Sequence, residues 1–424
     1  MSTMNQPTDN ASASDRDPNA VSIDEANTRI AARLAQLKGS ESVELHEALG
    51  RFLRVDLTSP MHSPPFRASA MDGYAYRFSD QGTTRTVVAT SLAGHPAQNS
   101  LAPGDCVRVT TGAKIPDDAD TVVQQENTSI DNDQLNMINP PLKSGHHVRN
   151  IGSDCEKGRC IAQAGTRVNA GLLGLCAALG VQKLDVLSQI RVILLSTGDE
   201  LKPGGETLAD GQIFDANTPL LTALFDDPNV RVTVGKPIKD TPESVHDSLT
   251  HAAANADIII TTGGVSVGER DHLREVMENR GGVDLWKVAM KPGRPLSFGV
   301  LDGKTPWFGL PGNPVSAALT ALLFVMPALR HCQGLPAKPL RVIQAVCKDR
   351  LEKLPGRVEF QRGRLETNSD GVVTVSTTGL QDSHILSSLA NANCLIRLPN
   401  ESLGAASGDT VSVIPFEFLN QNLV

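Results

Sequence analysis

The stretch that decides the fold is residues 257–266, which read DIIITTGGVS. Three consecutive isoleucines predict a strand that is buried on both faces, as in the parallel sheets of α/β proteins. The strand runs directly into Gly263 and Gly264, and glycine both tolerates positive φ and leaves backbone N–H groups open to a ligand. Ligands of open α/β sheets bind at the carboxyl ends of the strands, so we expect part of a binding site here.

Two further loops repeat this arrangement. Residues 196–200 read STGDE and residues 309–314 read GLPGNP, and each follows an apolar run that predicts a strand. Small residues at such positions let backbone N–H groups approach an anion, and helix N-termini attract one. Around the three loops, predicted strands and helices alternate, at 191–196, 218–225, 230–234, 242–255, 257–261, 271–280, 285–290, 296–300, 307–310 and 315–330.

This alternation predicts a doubly wound α/β domain over residues 185–334, with a parallel sheet and helices on both faces. The flanking segments differ in texture. Residues 59–146 have short β-type stretches between Pro and Gly, which predict a β-rich module. Residues 335–424 also have short β-type stretches, with a hairpin signal at Asp370-Gly371, and predict a separate β domain resembling a small barrel. We therefore expect a multidomain α/β protein.

The N-terminal part completes the predicted organisation. Residues 1–21, rich in Ser, Asn, Asp and Pro, lack the pattern of a secretion signal and are expected to be a disordered leader. Residues 22–58 and 147–184 are expected to form a linker and helical domain. Its first helix is predicted at 23–37, with Ser22 as N-cap, Glu25 completing a capping box, and Gly39 ending it.

Composition excludes several classes of function. The 424 residues include 47 acidic and 39 basic ones, for a formal charge of −8, which argues against a protein that coats nucleic acid. Aromatic residues make up 4%, too few for base-stacking platforms. The longest apolar run, residues 315–329, is too short to span a bilayer. Seven scattered cysteines suit a reducing cytoplasm, and neither they nor the histidines have the spacing of a zinc site.

The residues around the loops allow a chemical and a plain structural interpretation. Ser266 and Asp271 follow the glycine pair, and a carboxylate there could hold a hard cation beside a phosphate. A tight turn with an N-capping Asp would have the same sequence. Lys287, Lys291 and Arg294 suit a phosphate or another tetrahedral oxyanion, although such a cluster is also typical of a solvated face.

Three other groups stay equally open. Asp199 and Glu200 could bind Mg²⁺ or simply face water. Residues 311–314 could aim a helix N-terminus at an anion or be a stiff connection. Asp72, in SAMDGYA at 69–75, could be catalytic or part of an Asp-Gly turn.

Taken together, the motifs occur in the order found in one family. They are SAMDGYA (69–75), STGDEL (196–201), DGQIFD (210–215), TGGVSVG (262–268), MKPGRP (290–295) and GLPGNPVS (309–316). On these residues the chain resembles the MoeA family of molybdopterin molybdenumtransferases and is similar to the E domain of gephyrin. The resemblance covers nearly the whole chain after the leader.

The resemblance implies a reaction and partners. Adenylylated molybdopterin and molybdate would give molybdenum cofactor, AMP and water, with Mg²⁺ assisting. The protein would be a cytoplasmic homodimer whose cleft uses loops from both subunits, with the α/β domain binding molybdopterin. It would make transient contacts with other proteins of molybdenum cofactor biosynthesis, and none with nucleic acid or membrane.

The resemblance also assigns roles by position. Glu200 and Asp271 would bind Mg²⁺ and pyrophosphate, with Asp240 nearby. Gly263, Gly264 and Ser266 would cradle phosphate, and Lys287 and Lys291 would hold the dianionic substrate. Arg362 and Ser383 would bind molybdate. Asp72, Thr111 and Asp154 would come from the other subunit, and Pro311 and Pro314 would form the cleft floor.

The chain departs from the family pattern at a few positions. Arg67 stands where an acid or amide is more common, and Arg294 replaces a common lysine. Residues 226–228, Asp-Asp-Pro, interrupt a helix–strand link. None of these departures removes an expected ligand.

Two rival functions remain open. An adenylyltransferase that makes the adenylated pterin resembles residues 185–330, but usually lacks both the module of Asp72 and the C-terminal β domain. A non-catalytic scaffold is the second rival, because gephyrin organises receptors; that role goes with an additional fused domain and a long linker.

Overall fold

The computed structural model describes residues 17–416, except residues 38, 81, 99 and 265–271. Contacts divide the chain into two compact units. The N-terminal unit comprises residues 42–186, and the main unit comprises residues 1–41 and 187–424. The finer domain boundaries expected from composition stay predictions.

The first elements in chain order are helix α1 (Ile23–Arg33) and a series of short strands. The strands are β1 (Ser40–Glu44), β2 (Leu57–Thr58), β3 (Ala68–Ser69), β4 (Gly73–Tyr76), β5 (Thr84–Ser91), β6 (Asp105–Val109), β7 (Thr121–Gln124), β8 (Thr128–Asp131), β9 (Gln134–Met137), β10 (Val148–Arg149) and β11 (Cys160–Ala162). Helix α2 (Ala170–Ala178) and strand β12 (Lys183–Leu187) follow.

A six-stranded sheet forms the centre of the N-terminal unit. Its order is β7-β4-β6-β5-β9-β8, and β5 and β6 form its parallel pair. Leu135 and Val107 are fully buried on these strands. The β-rich texture predicted for residues 59–146 is therefore confirmed.

The main unit continues with the elements of the α/β sheet. They are β13 (Ile190–Ser196), β14 (Leu201–Lys202), β15 (Ile213–Phe214), α3 (Asn217–Leu224), β16 (Val230–Val234), α4 (Pro242–Asn255), β17 (Ile258–Thr262), α5 (His272–Arg280), β18 (Val283–Lys287), β19 (Met290–Lys291), β20 (Pro295–Leu301) and β21 (Thr305–Leu310). The sheet order is β16-β13-β17-β21-β20-β18.

The sheet is mixed: the predicted parallel pairing is confirmed for four neighbouring strands, whereas β20 departs from it. Strands β16, β13, β17 and β21 are parallel, whereas β20 runs antiparallel to both β21 and β18. The cause is the short link between β20 and β21, where Asp302 and Gly303 have positive φ. A turn this tight can only join antiparallel strands.

Both faces of the sheet are buried, as three consecutive isoleucines predict. Ile258 and Ile260 pack in one core with residues of α1 and α3, whereas Ile259 packs in a second core with residues of α4 and α5. The prediction of helices on both faces is confirmed.

A long helix, Pro314–Cys332, follows β21 and consists of α6 (Pro314–Thr320), a π-helical segment (Ala321–Val325) and α7 (Met326–Cys332). Within the described ranges it is the one helix with the length and apolar composition of a membrane span, and 89% of its apolar window is buried inside the protein. An all-round apolar helix of this kind is typical of a protein core.

Most of the C-terminal strands close into a barrel. The strands of this region are β22 (Ile343–Cys347), β23 (Leu351–Glu352), β24 (Val358–Thr367), β25 (Val373–Thr377), β26 (Cys394–Leu398), β27 (Gly404–Ala405) and β28 (Thr410–Pro415), with the short helix α8 (Leu386–Ala390) before β26. Strands β23 and β27 pair with each other outside the barrel. The order β24-β25-β22-β28-β26 closes by pairing of β26 with β24. The predicted barrel-like domain is confirmed.

Helix α1 begins as predicted but ends early. The Ser22 hydroxyl accepts the Glu25 N–H at 3.1 Å, which confirms the N-cap. The helix stops at Arg33 rather than Leu37, because the Leu37 N–H donates to the carbonyl of Cys332. Contact with the end of the long helix thus overrides the helical spacing of the sequence.

Candidate active site

The three glycine-containing loops lie side by side at one edge of the α/β sheet. The Thr197 N–H donates to the Thr262 carbonyl at 3.0 Å, and the Gly263 N–H donates to the Leu310 carbonyl at 3.1 Å. Since β13, β17 and β21 are parallel neighbours, their carboxyl ends meet at this edge. The position is the usual ligand site of an open α/β sheet.

Glycine is required at positions 263 and 264 because the backbone there lies close to the loop of Thr197. Their φ values are +82° and +65°, and a Cβ on Gly263 would lie 2.7 Å from the Thr197 carbonyl oxygen. A Cβ on Gly264 would lie 3.1 Å from the Thr197 Oγ1. The glycine pair therefore allows two strand-end loops to touch, with little side-chain bulk between the backbone and a ligand.

The third loop is held by a residue outside the sequence-predicted site. The Asn217 Nδ2, at the start of α3, donates to the Gly312 carbonyl at 2.8 Å. Among the described residues, neither the Oδ1 of the same buried amide nor the Oγ1 of Thr262 has a hydrogen-bond partner. Two orphaned acceptors at a strand-end edge fit a polar ligand, because buried polar groups are otherwise paired.

Glu200 places a carboxylate at the same edge. A Cβ on Gly198 would lie 2.5 Å from the Glu200 Oε2, so the carboxylate folds back over the loop that follows β13. The Glu200 carbonyl accepts the Ile213 N–H at 2.8 Å, which ties in the DGQIFD segment. Asp240 is exposed two residues after Ile238, which bridges to Thr197.

A basic pair lies at the end of β18. Lys287 pairs with Pro295 of β20, so β18 ends at the same edge of the sheet as β21. The carboxylate of Asp17, upstream of α1, accepts from both Lys287 and Arg294. Hydrogen bonding to the Asn19 N–H, and then the two cations, hold the pKa of Asp17 below its ordinary value.

Lys291 lies apart from this pair. Its strand β19 joins the start of β24, and the Lys291 Nζ lies 3.4 Å from the Oε2 of the buried Glu359. The structure therefore places Lys287 with Asp17, and Lys291 on the barrel.

The barrel reaches the strand-end edge through Ser383. The Asn313 Nδ2 donates to the Ser383 Oγ at 3.0 Å, and the Val315 N–H donates to the Ser383 carbonyl at 3.3 Å. Pro311 is buried and Pro314 is the first residue of α6, so the two prolines flank this contact. Pro at the first helical position is preorganised for helix formation.

Arg362 is fully buried behind this segment. Its Nε donates to the Ser388 Oγ at 3.0 Å and its Nη2 to the Asp382 carbonyl at 3.2 Å. Burial lowers the pKa of the guanidinium, while the charges of Glu359 and Asp382 oppose that shift. Arg362 thus supports the segment that carries Ser383.

Asp72 and Thr111 meet in the N-terminal unit. The Thr111 N–H and Oγ1 donate to the Asp72 Oδ1 at 2.6 and 2.9 Å. These two bonds, the backbone one first, lower the pKa of Asp72. Asp154 lies elsewhere in that unit, where its Oδ2 accepts from the Ser63 Oγ at 3.2 Å.

Three other residues singled out in the sequence are not seen at this edge of the sheet. Ser266 and Asp271 lie outside the described residues. Arg67 is turned toward the carbonyls of Pro116 and Asp117. Asn313 was assigned no role from the sequence. Its place in the Pro-Gly-Asn-Pro loop pointed to the site, but its hydrogen-bond partner, Ser383, lies 70 residues away in the sequence.

Three family models match the chain in succession. They are the MoeA N-terminal region (domain I and II) at residues 21–180, a "Probable molybdopterin binding domain" at residues 193–331, and the MoeA C-terminal region (domain IV) at residues 344–416.

Curated relatives match along nearly the whole chain. A molybdopterin molybdenumtransferase of Haemophilus influenzae is 37% identical, over 94% of this chain and 99% of the relative. Gephyrin of Dictyostelium discoideum is 32% identical, over 93% of this chain and 62% of its own length. The crystal structure of a molybdopterin biosynthesis MoeA protein from Pyrococcus horikoshii aligns with a TM-score of 0.79 at 27% identity, over 93% of this chain and 100% of that one. The chain belongs to the MoeA family.

Proposed function

We propose that this chain is a molybdopterin molybdenumtransferase, which inserts molybdenum from molybdate into adenylylated molybdopterin and releases AMP and water. The observation that carries the proposal is the meeting of three strand-end loops with the Ser383 segment of the barrel. Thr197, Gly263 and Gly312 bring the loops together, and Asn313 joins them to Ser383. One edge can thus receive two anionic reactants.

The groups at this edge suit those reactants. Gly263 and Gly264 would cradle a phosphate, together with Ser266. Lys287 from this edge and Lys291 from the barrel would neutralise the dianionic substrate, and Asp240 would lie close by. Stabilising negative charge at preorganised positions is the main requirement for cleaving a phosphoanhydride. Pro311 and Pro314 would form the cleft floor.

Molybdate is a tetrahedral dianion and needs donors rather than carboxylates. Ser383 offers a hydroxyl, and Arg362 offers a guanidinium behind the same segment. We propose both for the molybdate site. An arginine and a hydroxyl are typical of such anion sites.

The residues at this edge offer few ligands for Mg²⁺. Among the described residues there is no group of three or more His, Cys, Asp or Glu side chains that could hold a metal ion. Mg²⁺, however, is usually held by one or two carboxylates together with substrate phosphates and water, so Glu200 with Asp271 would suffice. Bound there, the ion would neutralise phosphate charge.

A homodimer is part of the proposal, with Asp72, Thr111 and Asp154 reaching the cleft of the other subunit. Support comes from α2, which consists of nine apolar or glycine residues, of which Cys176 is buried. An apolar surface of this kind is typical of an interaction site. Sedimentation analysis should give a dimer, and Ala177→Asp, a change at an exposed position of α2, should yield a monomer.

The cytoplasm is the proposed location. All seven cysteines are free thiols, and burial raises the pKa of Cys106, Cys332 and Cys394 to about 12. Unpaired thiols suit a reducing compartment. Transient contacts with other proteins of molybdenum cofactor biosynthesis are also proposed, to deliver the adenylate.

The decisive experiment supplies purified protein with adenylylated molybdopterin, molybdate and Mg²⁺, and measures AMP and molybdenum cofactor by chromatography. We expect both products to depend on molybdate and to fall on chelation of Mg²⁺. A second reaction contains ATP and bare molybdopterin. Adenylylation there would favour the adenylyltransferase, whereas no turnover in either reaction, together with tight binding of a partner helix, would favour a scaffold.

A further inference from the structure

The side chain of Asn313 has an unusual partner for its position. Asn313 precedes the first residue of α6 and has the extended backbone of an N-cap, yet it makes no capping hydrogen bond to its own helix. Asn at this position normally accepts an N–H of the first turn. Its Nδ2 instead donates to the Ser383 Oγ at 3.0 Å.

Ser383 is held at a second atom by the same helix. The Val315 N–H, in the first turn of α6, donates to the Ser383 carbonyl at 3.3 Å. The barrel segment thus supplies the cap that the Asn313 side chain does not. Ser383 is consequently fixed relative to the strand-end loops.

The direction of the Asn313 bond determines what the Ser383 hydroxyl can do. A hydroxyl has one hydrogen to donate and can accept through its lone pairs. Because the Oγ accepts from the amide, its hydrogen remains for another acceptor. In the described part of the chain no protein acceptor takes that hydrogen. Ser383 is half-buried and Asn313 is exposed, so their hydrogen bond lies at the surface, where a ligand can reach the hydroxyl.

We infer that Asn313 is a positioning residue, which orients the Ser383 hydroxyl so that its hydrogen is donated to an oxygen of the molybdate substrate. This inference rests on the proposed function, because it takes molybdate as the anion bound at Ser383. The carboxylate of an Asp at position 313 would accept the hydroxyl hydrogen and turn it away from the substrate. It would also place a negative charge beside a dianion.

Asn313→Asp is the sharpest test, because the two side chains have nearly the same shape. We expect the Kd for molybdate alone, measured by titration calorimetry, to rise at least about tenfold, as for the loss of one hydrogen bond to a charged group. In turnover, the KM for molybdate should rise while the KM for adenylylated molybdopterin stays within about twofold. The melting temperature should stay close to that of the wild type.

The matched control is Asn255→Asp, which makes the same change of charge in the same unit. The Asn255 amide donates to the His251 carbonyl at 2.9 Å at the end of α4. That end precedes β17 and therefore lies at the opposite edge of the sheet. Its Kd for molybdate should equal that of the wild type.

A double-mutant cycle shows whether Asn313 acts through Ser383. Asn313→Ala should weaken molybdate binding in the wild type and have no effect in Ser383→Ala. Additive losses would overturn the inference, as would an Asn313→Asp variant whose Kd for molybdate is within twofold of the wild type. Calorimetry with molybdate alone keeps this outcome separate from a failure of the proposed function, which would appear as molybdate binding without AMP release.

Discussion

The Lys287 Nζ lies 3.4 Å from the Asp17 Oδ2, across 270 residues of sequence. The same oxygen also accepts from Arg294. Backbone bonds support the contact, since the Val21 N–H donates to the Lys287 carbonyl at 2.9 Å. One carboxylate thus faces two cations at the sheet edge proposed to hold an anionic substrate.

Asp17→Asn should strengthen the binding of AMP. The substitution removes the negative charge that competes for Lys287 and Arg294, so we expect the Kd for AMP at low salt to fall about two- to fivefold, the range for an exposed ion pair. High salt should abolish the difference. Asp24→Asn, an exposed change in the first turn of α1, should have no effect. Weaker AMP binding in Asp17→Asn would show that Asp17 organises the cations instead.

The stabilisation provided by the contact of Asp72 with Thr111 should be lost at low pH. The pKa of Asp72 is lowered below 3.8, mainly by the Thr111 N–H. The stabilisation of the native state by this carboxylate is therefore complete above pH 3.8 and is lost as the pH falls through the lower folded value. Melting temperatures of wild type and Asp72→Asn should differ at pH 7 and converge in acid. A constant difference at all pH values would contradict this account.

Arg362→Ala should weaken molybdate binding more than binding of the adenylate. The residue is fully buried and supports the Asp382 carbonyl. Its loss should also cost about 2–4 kcal/mol in unfolding free energy, because buried partners are left unsatisfied. Arg364→Ala, the exposed arginine on the same strand, is the control. Equal losses for both ligands in calorimetric titrations would count against the molybdate role.

Gly363→Ala should destabilise the barrel without a direct effect on the site. A Cβ at this position of β24 would lie 2.8 Å from the Ile396 Cγ1 and 3.0 Å from the Val375 Cγ2. Overpacking of this kind costs about 1–3 kcal/mol, measurable by urea denaturation. Gly204→Ala, where a Cβ meets no atom of the described residues within 4 Å, should change stability by less than about 0.5 kcal/mol. Equal stability of the two variants would refute the packing argument.

Glu200→Gln and Asp271→Ala test the proposed metal pair. Glu200→Gln should raise the Mg²⁺ concentration needed for half-maximal AMP release about tenfold or more, because it removes a charged oxygen ligand. Asp271→Ala should abolish AMP release and leave the fold intact. Glu206→Gln, which removes a charge that faces Lys202, is the control. Unchanged AMP release in Asp271→Ala would refute the Mg²⁺ role.

The local sequence pattern was sufficient to predict strands and helices wherever the spacing of apolar residues reflects their burial. The alternation of strands and helices in residues 185–334 and the cap at Ser22 follow from side-chain chemistry within a few residues, and both are confirmed. The end of α1 was wrong, because Leu37 is drawn to Cys332 by a contact that no local window contains. The reversal of β20 was missed although Asp302-Gly303 is a turn signal.

The family motifs also predicted which segments would carry the site, and the roles assigned to their residues stay predictions. The motifs could not predict which side chains contact each other. Asp17 with Lys287, Lys291 with Glu359, and the amide of Asn217 with Gly312 are contacts between residues far apart in the sequence.

The sequence by itself determined the family, the strand-end glycine loops and the residue types available to bind anions, because these depend on local backbone needs and on composition. The tertiary structure decided which of those residues meet. Asn313 faces Ser383 only because the barrel packs against the α/β sheet within one unit, and the direction of that hydrogen bond depends on three-dimensional geometry that no spacing of residues encodes.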